Sequence, residues 1–104
     1  MLIHNTTFMM EPGRESEFLQ WFRTQMPELT GDGTAPRLSA LRMAAGQEAG
    51  EEQAHSMAFQ MEFDDIVSLV QWADGPLQSV AMRFMKHFGP NAVFFTSVFE
   101  TIPL

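Results

Sequence analysis

Three histidines, His4, His55 and His87, are the side chains of this sequence that titrate near neutral pH. His4 is a candidate general base, but a hydrogen-bonded core histidine is favoured because no acidic partner is evident in the sequence. A metal site that used His4 and His55 would need a third ligand such as Glu62 or Glu100, and these residues follow no metal-binding spacing. His87 lies near a predicted helix C-terminus, where the helix dipole favours a cation. The sequence therefore predicts neither a metal site nor a cofactor.

A second group of candidate residues is polar but uncharged. Asn5, Thr7, Gln60 and Thr96 are expected to share one face of a sheet, each on a strand with alternating character. Such groups can orient a small ligand in a pocket. They can also form the hydrogen bonds that a protein interface needs, and this second role is favoured.

Two arginines, Arg37 and Arg42, lie on a predicted edge strand. A guanidinium group can hold an anionic ligand through two parallel hydrogen bonds. Charged residues also protect the edge strand of a sheet from unwanted pairing, and that role is favoured here. The sequence has no glycine-rich phosphate loop and no serine in a nucleophile elbow. No motif therefore indicates a particular reaction.

Composition narrows the function classes further. The chain has 104 residues, with 13 acidic and 6 basic side chains and a net charge of −7, which opposes binding to nucleic acid or anionic membranes. It has no cysteine, which excludes disulfides and thiolate chemistry. The N-terminus lacks a signal-peptide pattern, and no apolar run reaches the roughly 18 residues of a membrane span. We expect one domain over residues 1–104, located in the cytoplasm.

The stretch from Gln53 to Phe63 indicates how these residues are positioned. Met57, Phe59, Met61 and Phe63 alternate with small or polar residues, which is typical of a strand with one buried face. Residues 2–10 also indicate a strand, but neither of its two alternating sets is purely apolar. The even-numbered residues of that stretch carry more hydrophobic bulk, so we assign them to the side covered by helices.

Helical spacing appears in two places. The segment 14–26 places Phe18, Phe22 and Met26 on one face, and Pro27 is expected to end this helix. After a cap at Asp64 or Asp65, an apolar stripe begins at Ile66, is interrupted at residues 74–76 and resumes over 76–88. Strands are expected at 37–44 and 91–102, with a glycine-rich acidic loop at 45–52. The predicted order is strand, helix, strand, strand, helix, strand.

This order predicts a ferredoxin-like plait of the α+β class. Short connections and right-handed crossovers favour a four-stranded antiparallel sheet of order 4-1-3-2, with both helices on one face and the second helix broken near Asp74–Pro76. The opposite face has no helix to cover it and contains residues too apolar for comfortable exposure. We therefore expect a homodimer packed sheet to sheet with two-fold symmetry. The apolar residues assigned to this interface are Ile3, Met9, Ala58, Phe94 and Val98.

Short pieces along nearly the whole chain resemble a family of short bacterial proteins, domain of unknown function 4286. They include residues 2–5, 17–22, 56–63 and 83–96, together with the pair Pro36-Arg37. The chain departs from the family at His4, where the family has a tyrosine. The resemblance implies the dimeric α/β-barrel variant of the plait and implies no activity.

Three functions remain open from the sequence, the third being a domain that senses a small-molecule ligand. The first is a homodimeric module that binds a small molecule or another protein and has no enzymatic activity. The second is a cofactor-free enzyme of the dimeric α/β-barrel kind, such as a small monooxygenase or isomerase, which is an analogy from fold alone. An enclosed cavity lined by His4 or His55 together with Asn5 would favour the enzyme.

Overall fold

The computed structural model describes residues 1–31, 38–42 and 55–104; residues 38–42 and His55 are described by their backbone alone. Its strands are β1 (Leu2–Met10), β2 (Leu38–Arg42), β3 (His55–Phe63) and β4 (Val93–Glu100). Its α-helices are α1 (Glu15–Thr30), α2 (Ile66–Trp72) and α3 (Gln78–Phe88), and a π-helical turn (Ala73–Leu77) joins the last two. The strands form one antiparallel sheet of order β2-β3-β1-β4. The predicted α+β class with an antiparallel sheet is confirmed.

The core lies between one face of this sheet and the helices. On the helix-side face, Phe8 and Phe59 meet Phe18, Phe22 and Phe84 in a single aromatic cluster. The Phe22 and Phe59 rings are stacked with their centroids 3.8 Å apart. In the antiparallel pair of β1 and β3, residues that lie opposite each other point to the same face of the sheet. The buried residues of the two strands therefore form one continuous apolar layer.

Helix α1 extends past the position where a proline was expected to end it. Pro27 lies inside the helix, which continues to Thr30. Two contacts stabilise the last turn, since Leu29 is buried and its carbonyl accepts a hydrogen bond of 2.8 Å from the Trp72 indole N–H. Leu29 therefore takes the core position that the sequence pattern assigned to Met26, which is partly exposed.

The predicted interruption of the second helix near Asp74–Pro76 is present, since α2 ends at Trp72 and α3 begins at Gln78, but the chain stays helical between them. It widens into the π-helical turn, where Pro76 has no N–H to donate. The predicted cap at Asp65 is present, since its carboxylate accepts a hydrogen bond of 2.8 Å from the Ser68 backbone N–H. That hydrogen bond is the main reason that the pKa of Asp65 lies below its usual value.

Strand β4 has the opposite phase from the one predicted. Residues directly opposite each other in an antiparallel pair share a face. Phe94 pairs with Phe8, Thr96 with Thr6 and Val98 with His4, so these β4 residues belong to the helix-side face. Phe94 also packs against the core. The assignment of Phe94, Thr96 and Val98 to the other face was wrong.

We call the second face of the sheet the open face. It carries the residues of each strand that alternate with those facing the helices. Its members are half-buried on β1 and β3 and mostly exposed on β4. By register they are Ile3, Asn5, Thr7 and Met9 on β1, Ser56, Ala58, Gln60 and Glu62 on β3, and Val93, Phe95, Ser97 and Phe99 on β4.

Candidate functional site

A row of hydrogen-bonded polar side chains crosses the two central strands on the open face. The Gln60 amide donates to Asn5 Oδ1 at 3.4 Å, and the Asn5 amide donates to Thr7 Oγ1 at 3.1 Å. Asn5 and Gln60 are cross-strand partners, so the backbone register itself places their side chains together. The structure thus brings together three of the four predicted polar residues, and Thr96 lies on the opposite face.

Apolar side chains surround this row. Three on β4 are well exposed, Phe95 at 58%, Phe99 at 54% and Val93 at 41%. Ile3 and Met9 continue the apolar surface on β1. Glu62 is the one ionisable residue among the described positions of the open face. The open face is therefore an apolar surface with a polar centre and almost no charge.

Two predicted candidates from the edge of the sheet have only a backbone position here. Arg42 is the last residue of β2 and pairs in register with Met57, and His55 is the first residue of β3 and pairs with Met10. Arg37 and the predicted acidic loop at 45–52 lie outside the described residues.

His4 lies on the helix-side face and is 4% exposed. Its Nδ1 is 3.4 Å from the Thr6 hydroxyl oxygen, and its ring meets Trp72 edge to face at a centroid distance of 5.2 Å. Burial lowers the pKa of His4 below 6.5, because an apolar environment disfavours the imidazolium form. Asn5 is the next residue on the same strand and points to the other face, so one cavity within the protomer does not take both side chains.

A groove on the outer surface of the helices was not predicted from the sequence. Its volume is about 400 Å³, and Trp21 of α1 and Arg83, Lys86 and His87 of α3 line it. The three α3 residues have the i, i+3, i+4 spacing that places side chains on one helix face, and this was the signal available in the sequence. The contribution of Trp21 depends on helix packing, which the spacing does not reveal.

Polar contacts between side chains lie at both ends of this groove. At one end, Arg83 donates to Glu28 and to Gln25, each at 2.9 Å. At the other end, His87 Nε2 lies 3.1 Å from Glu17. The Arg14 guanidinium donates to Glu17 at 2.8 Å, and this hydrogen bond is the main reason that the pKa of Glu17 lies below its usual value.

Two kinds of site are absent from the described residues, 1–31, 38–42 and 55–104. These residues contain no group of three His, Asp or Glu side chains arranged to hold a metal ion. Within the same ranges, none of the helices combines the length and the apolar character required to cross a membrane.

The fold is similar to that of solved structures with little sequence identity. A proposed antibiotic biosynthesis monooxygenase from Deinococcus radiodurans matches with a TM-score of 0.69 and 13% identity, over 100% of this chain and 95% of that chain. A mutant of SnoaB, a cofactor-independent oxygenase from Streptomyces nogalater, matches with a TM-score of 0.63 and 10% identity, over 99% and 95%. A dimeric ferredoxin-like protein from an uncultured marine organism matches with a TM-score of 0.65 and 13% identity, over 99% and 96%. These matches support a ferredoxin-like fold.

No curated protein matches this sequence. One family model matches residues 1–102, which is almost the entire chain. This match confirms the resemblance drawn from the short sequence pieces. The chain belongs to the DUF4286 family, a domain of unknown function.

Proposed function

We propose that this protein is a homodimeric interaction module in which the open faces of two sheets pack against each other. The observation that carries this proposal is the exposure of Phe95 and Phe99, each more than half accessible, on a face with almost no charge. Interface cores are depleted in charged residues and enriched in aromatic ones. An exposed apolar patch of this kind is a typical contact surface.

The size of the open face is consistent with this role. Two strands have nine residues, β4 has eight and β2 has five. At about 3.4 Å per residue and about 4.8 Å between strands, the projected area is roughly 500 Å² before the relief of the side chains is counted. A standard interface buries about 800 Å² per partner. A similar structure, the marine ferredoxin-like protein, is described as dimeric.

The row formed by Gln60, Asn5 and Thr7 would make this interface specific. Buried polar groups need hydrogen-bond partners, so the two rows must meet in a register that satisfies them. A two-fold arrangement places the same patch on both protomers and closes the assembly at two copies.

Sedimentation analysis of the wild-type protein and two variants tests the dimer. We expect the wild type to sediment at twice the chain mass of 11.8 kDa. Phe95→Asp places a charge in the interface and should give monomers. Met82→Asp introduces the same charge at a residue that is 63% exposed on α3, and it should remain dimeric.

Circular dichroism confirms that each variant is folded, and Phe99→Ser is a milder second change on the same face. A wild-type protein that stays monomeric at high concentration would contradict the proposal. So would a dimer that tolerates both Phe95→Asp and Phe99→Ser.

A second candidate function, a cofactor-free oxygenase or isomerase, would use His4 as its base, although the ring is 4% exposed and shares no cavity with Asn5 within the protomer. When Nδ1 carries the proton and donates it to Thr6, the lone pair on Nε2 can accept a proton from a carbon acid. The low pKa keeps this imidazole neutral at neutral pH. A similar structure, SnoaB, is described as a cofactor-independent oxygenase.

Oxygen uptake with anthrone, a carbon acid whose anion reacts with oxygen, tests this candidate. Loss of a general base lowers rates by about 10²- to 10⁴-fold, so His4→Gln should remove most of the uptake and His87→Gln should not. Uptake that is equal in the wild type and His4→Gln would exclude His4 as the base. Absence of uptake in the wild type would count against this class of substrate.

A further inference from the structure

We propose that the groove between α1 and α3 binds a small aromatic carboxylate, with its ring against Trp21 and its carboxylate on Lys86. The groove lies on the helix layer, on the side of the molecule opposite the open face. The proposal is therefore independent of the proposed dimer, and either one can fail without the other.

The dimensions of the groove suit a small molecule. Its volume of about 400 Å³ lies within the range of roughly 300–1,000 Å³ that is usual for ligand sites. Its two ends are held by the Arg83–Glu28 pair and by the His87–Glu17 contact. The walls are thus positioned by interactions within the protein rather than by a ligand.

Lys86 supplies the charge for recognition. Glu28 already neutralises Arg83, and Glu17 accepts from Arg14 and contacts His87. In the part of the chain that the structure describes, Lys86 makes no ion pair. One unpaired ammonium group is suited to a single carboxylate, and a polyanion such as nucleic acid would meet the surrounding net charge of −7.

Trp21 supplies the preference for an aromatic ring. The indole is half-buried and packs against Phe18 and Phe88, with centroid distances of 5.9 Å and 5.5 Å. The His87 ring stacks beside it at 6.0 Å with an interplanar angle of 28°. These contacts fix the indole, which lines the groove, and planar rings stack favourably on an aromatic side chain held in this way.

The sequence offers an unusually selective probe, since Lys86 is its one lysine. Reductive methylation with ¹³C-formaldehyde labels this side chain and the N-terminal amine, and it preserves the positive charge. The Lys86→Met variant lacks the Lys86 signal and so assigns it.

The first experiment titrates the labelled full-length protein with 2-naphthoate at about 0.15 M salt, where long-range repulsion is screened beyond about 8 Å. We expect a saturable shift of the Lys86 methyl signal. The neutral 2-naphthamide and the non-aromatic cyclohexanecarboxylate should shift the signal much less. Equal shifts with 2-naphthamide, or no shift with 2-naphthoate at millimolar concentration, would overturn the proposal.

Calorimetry on unlabelled protein provides the second measurement. Lys86→Met removes a charge-assisted hydrogen bond and should weaken 2-naphthoate binding about tenfold. Arg23→Met removes one positive charge from an exposed residue of α1 that does not line the groove, and it should leave the affinity unchanged. Trp21→Phe keeps an aromatic ring and should give an intermediate loss. Unaltered affinity in Lys86→Met would also contradict the proposal.

Discussion

His4 is the residue whose charge state has the clearest consequence for stability. Burial lowers its pKa in the folded protein below the value of 6.5 that it has when exposed. The unfolded chain therefore binds this proton more readily than the folded protein does. By linkage, the contribution of His4 is fully present above about pH 6.5 and is lost as the pH falls through the folded pKa.

We predict that the free energy of unfolding of the wild type decreases as the pH is lowered from about 7.5 to about 5.5. His4→Phe keeps the ring and cannot be protonated, so its stability should change less over the same interval. His87→Gln keeps His4 and, as the control, should still lose stability as the pH falls. Urea unfolding at several pH values measures this, and an unchanged slope in His4→Phe would contradict it.

The two acidic groups with lowered pKa values act in a different pH range. Glu17 and Asp65 have ordinary pKa values of 4.5 and 3.8, and hydrogen bonds in the folded protein lower both. Their contributions are present above those values and are lost only as the pH falls through the still lower folded pKa values. They do not interfere with the interval in which His4 titrates.

At the scale of elements, Pro27 in α1 is the least favourable local choice. Proline in a helix interior is about 3 kcal/mol less favourable than alanine, and part of this is offset because proline also restricts the unfolded chain by about 1 kcal/mol. Helix α1 nevertheless continues to Thr30. The burial of Leu29 and the hydrogen bond from Trp72 provide compensation at the end of the helix.

We predict that Pro27→Ala stabilises the protein by about 1–2 kcal/mol and raises Tm by about 5–10 °C. Pro12→Ala in the exposed turn before α1 is the matched control, with an expected change within about 0.5 kcal/mol. Differential scanning calorimetry measures both. A lower Tm in Pro27→Ala would mean that the proline ring makes packing contacts that outweigh its cost to the helix.

The same element shows what sequence reasoning misses. The existence of α1 and its core residues Phe18 and Phe22 follow from apolar spacing, and the structure agrees. The end of the helix does not follow, since it depends on contacts between Leu29 and Trp72, which are 43 residues apart. Local rules about proline describe a preference that tertiary contacts can override.

The face assignment predicted for strand β4 was wrong for another reason. Both of its alternating sets contain apolar residues, so hydrophobicity does not choose between the faces. The choice comes from the pairing of Phe94 with Phe8, and pairing register is not visible in one strand. On β1 and β3 one set carries more hydrophobic bulk, and there the assignment of faces agrees with the structure.

At the scale of the whole molecule, the proposed dimer has a thermodynamic consequence. If unfolding is coupled to dissociation, dilution favours the unfolded chain, and the apparent Tm should fall with decreasing protein concentration. We predict this fall over an about hundredfold dilution of the wild type. Phe95→Asp should have a lower Tm that does not depend on concentration, and a constant Tm for the wild type would contradict the dimer.

Prediction from sequence was most successful for the architecture and least successful for the groove. The alternation of strands and the spacing of helices are patterns of neighbouring residues, so they can be recognised in the sequence. Together with the rules for connections, they leave few possible strand orders. The groove joins Trp21 to residues of α3 more than 60 positions later, which requires the packing of two helices. The polar row was easier to predict because Asn5 and Thr7 lie on one strand.

One backbone contact has a practical consequence for protein engineering. The Thr101 N–H donates a hydrogen bond of 3.0 Å to the carbonyl oxygen of Met1, so the first residue and the end of the last strand are neighbours. A short peptide could join these two points without disturbing the sheet, and new chain ends could be opened at the exposed Pro12-Gly13 turn. Such a circular permutant would keep every strand pairing while the order of the elements along the chain changes.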